Sequence, residues 1–168
     1  MTVKLFVRRT APKSRRLLSV RIGPQTGEFI LGEQRFTPQL NEAEYLRSVA
    51  AKSSKKLRGS GSRTYYEVWQ QVSSELEIGL TLGFARTGPL QRISAQFVKI
   101  GLRGSTWSKA LEDQIKSFHD AWLKEQLGKP PYQFTWGKVI SVIEPHWYSA
   151  NIIIDYTRGK DPTSHAST

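Results

Sequence analysis

The sequence predicts an α+β fold: an antiparallel β-sheet meander with one long and one short helix packed on one face. Three segments carry that reading. LEIGLTLGF alternates strictly, with Leu76, Ile78, Leu80, Leu82 and Phe84 to one side and Glu77, Gly79, Thr81 and Gly83 to the other, the period of a half-buried strand. Between Trp107 and Gly128, the residues Leu111, Ile115, Phe118 and Trp122 fall at i, i+4, i+7 and i+11, an apolar stripe along one helix. YQFTWGKVISVIEPHWYSANIIIDY, Tyr132–Tyr156, then reads as a long aromatic-rich hairpin turning near Pro145–Ser149. Strand runs interrupted by single helices place those helices on one face of an antiparallel sheet.

The elements follow in order. Val3–Val7 alternates weakly, as a first strand would. Leu17–Ile22 and Glu28–Leu31 flank Pro24-Gln25-Thr26-Gly27, a turn signal, and so form a hairpin. Asn41 is an N-cap with Glu42 and Glu44 in the first turn of a short helix running to about Ala51, whose apolar members are Tyr45, Leu46, Val49 and Ala50. Lys52–Arg63, KSSKKLRGSGSR, has Leu57 as its one apolar residue and reads as a mobile basic loop. Thr64–Val72, Glu75–Ala85 and Gln91–Ile100 read as three strands. Ser108 opens the long helix, Gly128 suits its C′ position, and Pro130-Pro131 prevents continuation. The expected organisation is a single α+β domain over residues 1–159 and a flexible tail over 160–168. The helical stripe implies that Trp122→Ala costs about 3–5 kcal/mol as a core truncation.

Composition narrows the chemistry. The chain has 168 residues and no cysteine, so it has no disulfide framework and no thiolate nucleophile. The basic N-terminus lacks the apolar core of a secretory signal, and no apolar run reaches membrane-spanning length, which favours a cytoplasmic location. The formal charge is +11, and it is lopsided. Residues 1–63 hold 14 Lys/Arg against 4 Asp/Glu, and residues 64–168 hold 11 against 10. The excess sits in Arg8, Arg9, Lys13, Arg15, Arg16 and Arg21, and in Arg47, Lys52, Lys55, Lys56, Arg58 and Arg63. Such a field attracts anions: nucleic acid, anionic lipid or an acidic protein surface.

No catalytic constellation emerges. His119 sits beside Asp120 within the long helix, but adjacent helical residues point about 100° apart, so the carboxylate is badly placed to orient the imidazole. No His, Asp or Glu spacing suits a metal. Gly101-Leu-Arg-Gly104 joins a strand to a helix but matches neither phosphate-binding glycine pattern. No cofactor is expected. Tyr65, Tyr66, Trp69, Trp107, Trp122, Trp136, Trp147 and Tyr148 are candidate base-stacking platforms, yet Trp122 and Trp136 read as core. His146-Trp147-Tyr148 differs: a Trp-Tyr pair at a hairpin tip has little to pack against and suits a partner contact. The expected partner-binding residues are therefore Lys52, Lys55, Lys56, Arg58, Arg63, His146, Trp147 and Tyr148.

One cadence runs through the later half: Leu90 and Ile93, Trp107, Glu112, His119-Asp120-x-Trp122-Leu123, then Tyr132, Trp136-Gly137, Ser149, Ile152, Ile154 and Tyr156. Over about Gly79–Tyr156 it resembles small bacterial proteins encoded near contact-dependent and type VI toxins, commonly taken as immunity proteins. The motif is a packing signature. Ile143-Glu144 stands where such relatives often carry Tyr-Asp before the hairpin turn, and the basic Lys52–Arg63 segment has no counterpart. The resemblance implies a non-enzymatic binding protein that neutralises a cognate toxin. The charge then calls for a toxin with an acidic face and argues against a basic nuclease. The competing expectation is a basic nucleic-acid-binding protein without a standard motif.

Overall fold

The computed structural model describes residues 18–57, 59, 61–86, 88–100, 108–145 and 148–156. The strand read at Val3–Val7 and the tail over 160–168 fall outside them. The fold is α+β and antiparallel throughout. A small sheet is formed by β1 (Val20–Ile22), β2 (Phe29–Leu31) and β3 (Gln34–Phe36) in the order β1-β2-β3. Two short helices follow, α1 (Glu42–Leu46) and α2 (Val49–Lys52). A seven-stranded sheet is built from β4 (Lys55–Leu57), β5 (Arg63–Gln71), β6 (Leu76–Ala85), β7 (Leu90–Lys99), β8 (Tyr132–Phe134), β9 (Gly137–Glu144) and β10 (Ser149–Asp155). Its order is β4-β5-β6-β7-β10-β9-β8, with α3 (Lys109–Leu127) between β7 and β8. Both margins of this sheet, β4 and β8, are three residues long.

The alternation of β6 does what its pattern requires. Ile78, Leu80, Leu82 and Phe84 are fully buried on one face, joined by Tyr66 and Val68 of β5, Ile93 and Ala95 of β7, and Ile152 and Ile154 of β10. The small sheet and the helices pack on that face. A chain of rings ties the layers together: Phe29 to Phe36 at 6.4 Å, Phe36 to Tyr45 at 6.5 Å, and Tyr45 to Phe84 at 5.4 Å. At the other end, Tyr156 donates its hydroxyl to the Gly27 carbonyl at 2.7 Å, and the Trp136 indole donates to the Pro24 carbonyl at 2.8 Å. The first hairpin turn is thus held by the C-terminal aromatics.

Besides two short strands the sequence reading did not contain, β3 and β8, three features differ from it. The helix expected from Asn41 to Ala51 is two. The Asn41–Glu44 capping box starts α1, and the Ser48 hydroxyl accepts from Ala51 N to start α2 after a break at Arg47. Only Tyr45 and Ala50 of its apolar set are buried; Leu46 and Val49 face outward. Second, the stretch read as a loop contains strand: Lys55–Leu57 pairs with Glu67–Tyr65. Third, α3 is rotated about its axis. Its buried residues are Glu112, His119 and Leu123. The Leu111–Ile115–Phe118–Trp122 stripe forms one shoulder, with Trp122 half-buried against Phe97 and Phe118 44% exposed.

This rotation orders the energetics along α3. Leu123→Ala should cost about 2–5 kcal/mol as a cavity in a fully buried site, and Phe118→Ala under about 1 kcal/mol. Urea unfolding of the two variants tests this, and the reverse order would restore the stripe as the core face.

Candidate binding surfaces

The rotation of α3 has a cause in the sheet. The β7–β10 ladder runs from Arg92–Asp155 to Ala95–Ile152 and stops there. Continuing the register would pair Phe97 with Ala150, whose N–H groups point into the gap between the strands. The helix satisfies both. The Phe97 N–H donates to His119 Nε2 at 3.2 Å, and the Ala150 N–H donates to Glu112 Oε2 at 2.6 Å. Glu112 and His119 lie seven residues apart, two turns along one helical face. Unpaired buried backbone donors are costly, so polar side chains hold the centre of a face that sequence alone assigns to apolar ones.

The two most conspicuous chemical groups are therefore committed to backbone. His119 accepts at Nε2, which assigns its proton to Nδ1. Burial pushes its pKa down to about 4; Asp120 raises it and Lys116 lowers it, both by less. Asp120 faces away and pairs with Lys116 at 2.7 Å. Among the described residues no group of three or more His, Cys, Asp or Glu could hold a metal. The Gly101–Gly104 loop lies outside those residues.

The sequence-predicted contact residues divide between two regions. Lys52 ends α2, and Lys55 and Lys56 lie on edge strand β4, all three exposed. Lys55 projects to the open side of the sheet. Lys56 projects to the helical side, where its ammonium is 3.7 Å from Glu42 and 5.6 Å from the Tyr66 ring centroid. The same Glu42 accepts from the Tyr66 hydroxyl at 2.6 Å, and burial together with this carboxylate pushes the Tyr66 pKa up to about 12. Arg63 is half-buried and donates to Gln91 at 2.9 Å. Tyr148, 57% exposed with φ 47°, belongs to the β9–β10 tip. The tip sits between the fifth and sixth strands of the sheet, so it is not brought together with the lysines of β4 at one margin. Arg58, His146 and Trp147 lie outside the described residues.

Two surfaces were not read from sequence. One is the face of the large sheet opposite the helices, which no described element covers. Trp69 and Tyr65 lie flat across it on neighbouring β6 glycines; a Cβ at Gly79 would sit 2.6 Å from the Trp69 ring, and one at Gly83 2.9 Å from the Tyr65 ring. This face is dished. Arg92 stands opposite Asp155 and Glu144 opposite Ser149, six residues along β10, yet their charged groups are 3.2 Å apart. In a flat sheet six residues span roughly 20 Å, so the sheet must curl toward this side. The other surface is a groove of ≈ 360 Å³ between α3 and the ends of β6 and β7, lined by Leu76, Phe97, Leu111, Ile115 and Phe118 together with the polar Ser73, Glu75, Lys99 and Gln114. Leu111, Ile115 and Phe118 of the α3 stripe thus form one wall of the groove, while Trp122 packs on the core.

Comparison with known proteins gives one informative result. No family model matches the chain, and no curated protein does. Among solved structures, a chain of the structure described as "Rhs1-CT in complex with cognate immunity protein RhsI1" superposes with a TM-score of 0.51. The match covers 83% of this chain and 88% of that one at 16% identity. At that identity the likeness is one of fold. Among the described residues no helix is long and apolar enough to cross a membrane.

The buried imidazole makes stability depend on pH. The folded state holds His119 neutral down to about pH 4, whereas the unfolded chain protonates near 6.5. Its contribution is fully present above pH 6.5 and falls as pH drops through that window, by about 3 kcal/mol in total. His119→Gln keeps an acceptor for Phe97 N–H and cannot titrate. Its unfolding free energy should be flatter than wild type between pH 6.5 and 4, and parallel profiles would remove the assignment.

Proposed function

We propose that this chain is an immunity-type protein that binds a cognate toxin protein and neutralises it by occupation, with no turnover of its own. The observation that carries this is the fold shared, over most of both chains, with a chain of a toxin–immunity complex. Two features of the chain support it. Its buried His119 and Glu112 serve the backbone and not a reaction. Its exposed features are surfaces: a basic margin, a dished sheet face and an apolar groove. A cytoplasmic site of action and a type VI or contact-dependent delivery system for the toxin belong to the same reading.

The charge specifies the partner further. A chain of formal charge +11 steers toward an acidic surface. The cations at the margin are unequal. Lys56 is compensated by Glu42, whereas Lys52 and Lys55 make no ion pair among the described residues.

The test is co-expression with each toxin domain that the genes neighbouring this one encode, scored by restored growth and by an isolated complex; no protection by this chain against any of them would overturn the reading. Lys52→Ala with Lys55→Ala should slow association about tenfold at low salt and flatten its salt dependence, leaving dissociation nearly unchanged. Lys56→Ala should do less. A nucleic-acid-binding protein would instead show affinity for an arbitrary oligonucleotide that falls steeply with salt.

A further inference from the structure

The corner formed by α1 and α2 carries a surface that its sequence pattern does not announce. Leu46 is 52% exposed and Val49 78%, although their neighbours Tyr45 and Ala50 are buried in the core. Fraying does not account for this. The corner is fixed by the Asn41–Glu44 capping box, the Ser48 cap and the Tyr45 ring seated against Tyr66 and Phe84. Leu46 also lines a surface depression with Asn41, Glu42, Ala43 and Gly88. Two exposed cations adjoin the pair: Arg47 lies between them, and Lys52 follows Val49 by three residues on α2. Of the two acids of α1, Glu42 is compensated by Lys56 and Glu44 is engaged in the capping box.

We propose that the Leu46–Val49 knuckle is the apolar centre of this chain's interface with its toxin, seated in an apolar depression that the toxin rims with Asp and Glu. This rests on the immunity reading and names the surface that serves it. An apolar centre with a charged rim is the anatomy of a protein–protein contact. Nucleic acid fits worse, because two branched aliphatic side chains offer neither a phosphate contact nor a stacking plane. A membrane surface also fits worse. Helices of five and four residues present two aliphatic groups and not a continuous apolar face.

The experiment uses the full chain, with the toxin domain that scores in the co-expression test, in inactivated form, as the probe. Leu46→Asp with Val49→Asp should weaken the complex at least about thirtyfold, chiefly through faster dissociation, with an unchanged melting temperature. Val49→Glu alone, at the more exposed position, should weaken it about tenfold and covers the case of a double variant that folds poorly. Equal affinity of wild type and these variants would overturn this surface and leave the immunity reading standing. No binding of the wild-type chain to the toxin domain would overturn both. Two parallel arms use a labelled single-stranded oligonucleotide and vesicles of phosphatidylcholine with phosphatidylglycerol. Binding in either arm that is lost in the Leu46 and Val49 variants would overturn the assignment to a protein.

Discussion

Two hydrogen bonds from backbone to helix side chains set the arrangement of the C-terminal half. Where β7 and β10 part, the N–H groups of Phe97 and Ala150 need acceptors, and water cannot reach them. His119 and Glu112 supply those acceptors from one face of α3. Both bonds together allow one rotation of the helix about its axis and one position along it. Everything else on α3 follows: Leu123 goes to the core, Trp122 packs on Phe97, and the apolar shoulder is left to wall a groove. A helix held only by apolar contacts could slide or roll at modest cost; one holding two buried donors cannot.

The N-terminal layer is attached differently. The small sheet reaches the large one through rings, Phe29 to Phe36 to Tyr45 to Phe84, and its first turn is held by the indole of Trp136 and the hydroxyl of Tyr156. The β1–β2 turn is therefore joined by hydrogen bonds to the β8–β9 turn and to the residue after β10, across more than a hundred residues. Tyr45 matters most locally. By seating itself between Tyr66 and Phe84 it fixes α1, and so decides which of its neighbours face outward.

Much of this was legible in the sequence, and the exceptions share one physical origin. The three central strands, the final hairpin, the long helix and the Asn41 cap are set by local periodicity and turn chemistry, and they lie where those signals put them. What failed depends on tertiary contacts. The apolar spacing of α3 points to Leu111, Ile115, Phe118 and Trp122, but nothing local reveals that a splayed strand pair needs acceptors from Glu112 and His119. Likewise Leu46 and Val49 look like core from their helical spacing; the break at Arg47-Ser48, which turns them out, rests on a cap of ordinary residues. β4 was missed because Lys-Lys-Leu has no strand signature until β5 is beside it. The exposure of Lys52, Lys55 and Lys56 is what a basic stretch with one apolar residue suggests, whereas the dished face needed the ladder registers.

The brevity of β4 and β8 has a further bearing on how such a chain associates. A seven-stranded sheet exposes two rows of unsatisfied backbone groups, and long flat margins recruit strands from other molecules. Here the outermost strands are three residues long, on one margin two of the three are lysines, and β5 and β9 run on past them. Setting a second copy's β4 against this one would bring like charges together. Side chains on faces and corners, by contrast, can diversify by point substitution without disturbing the ladder beneath. A scaffold of this kind can change the surface it recognises while keeping its architecture.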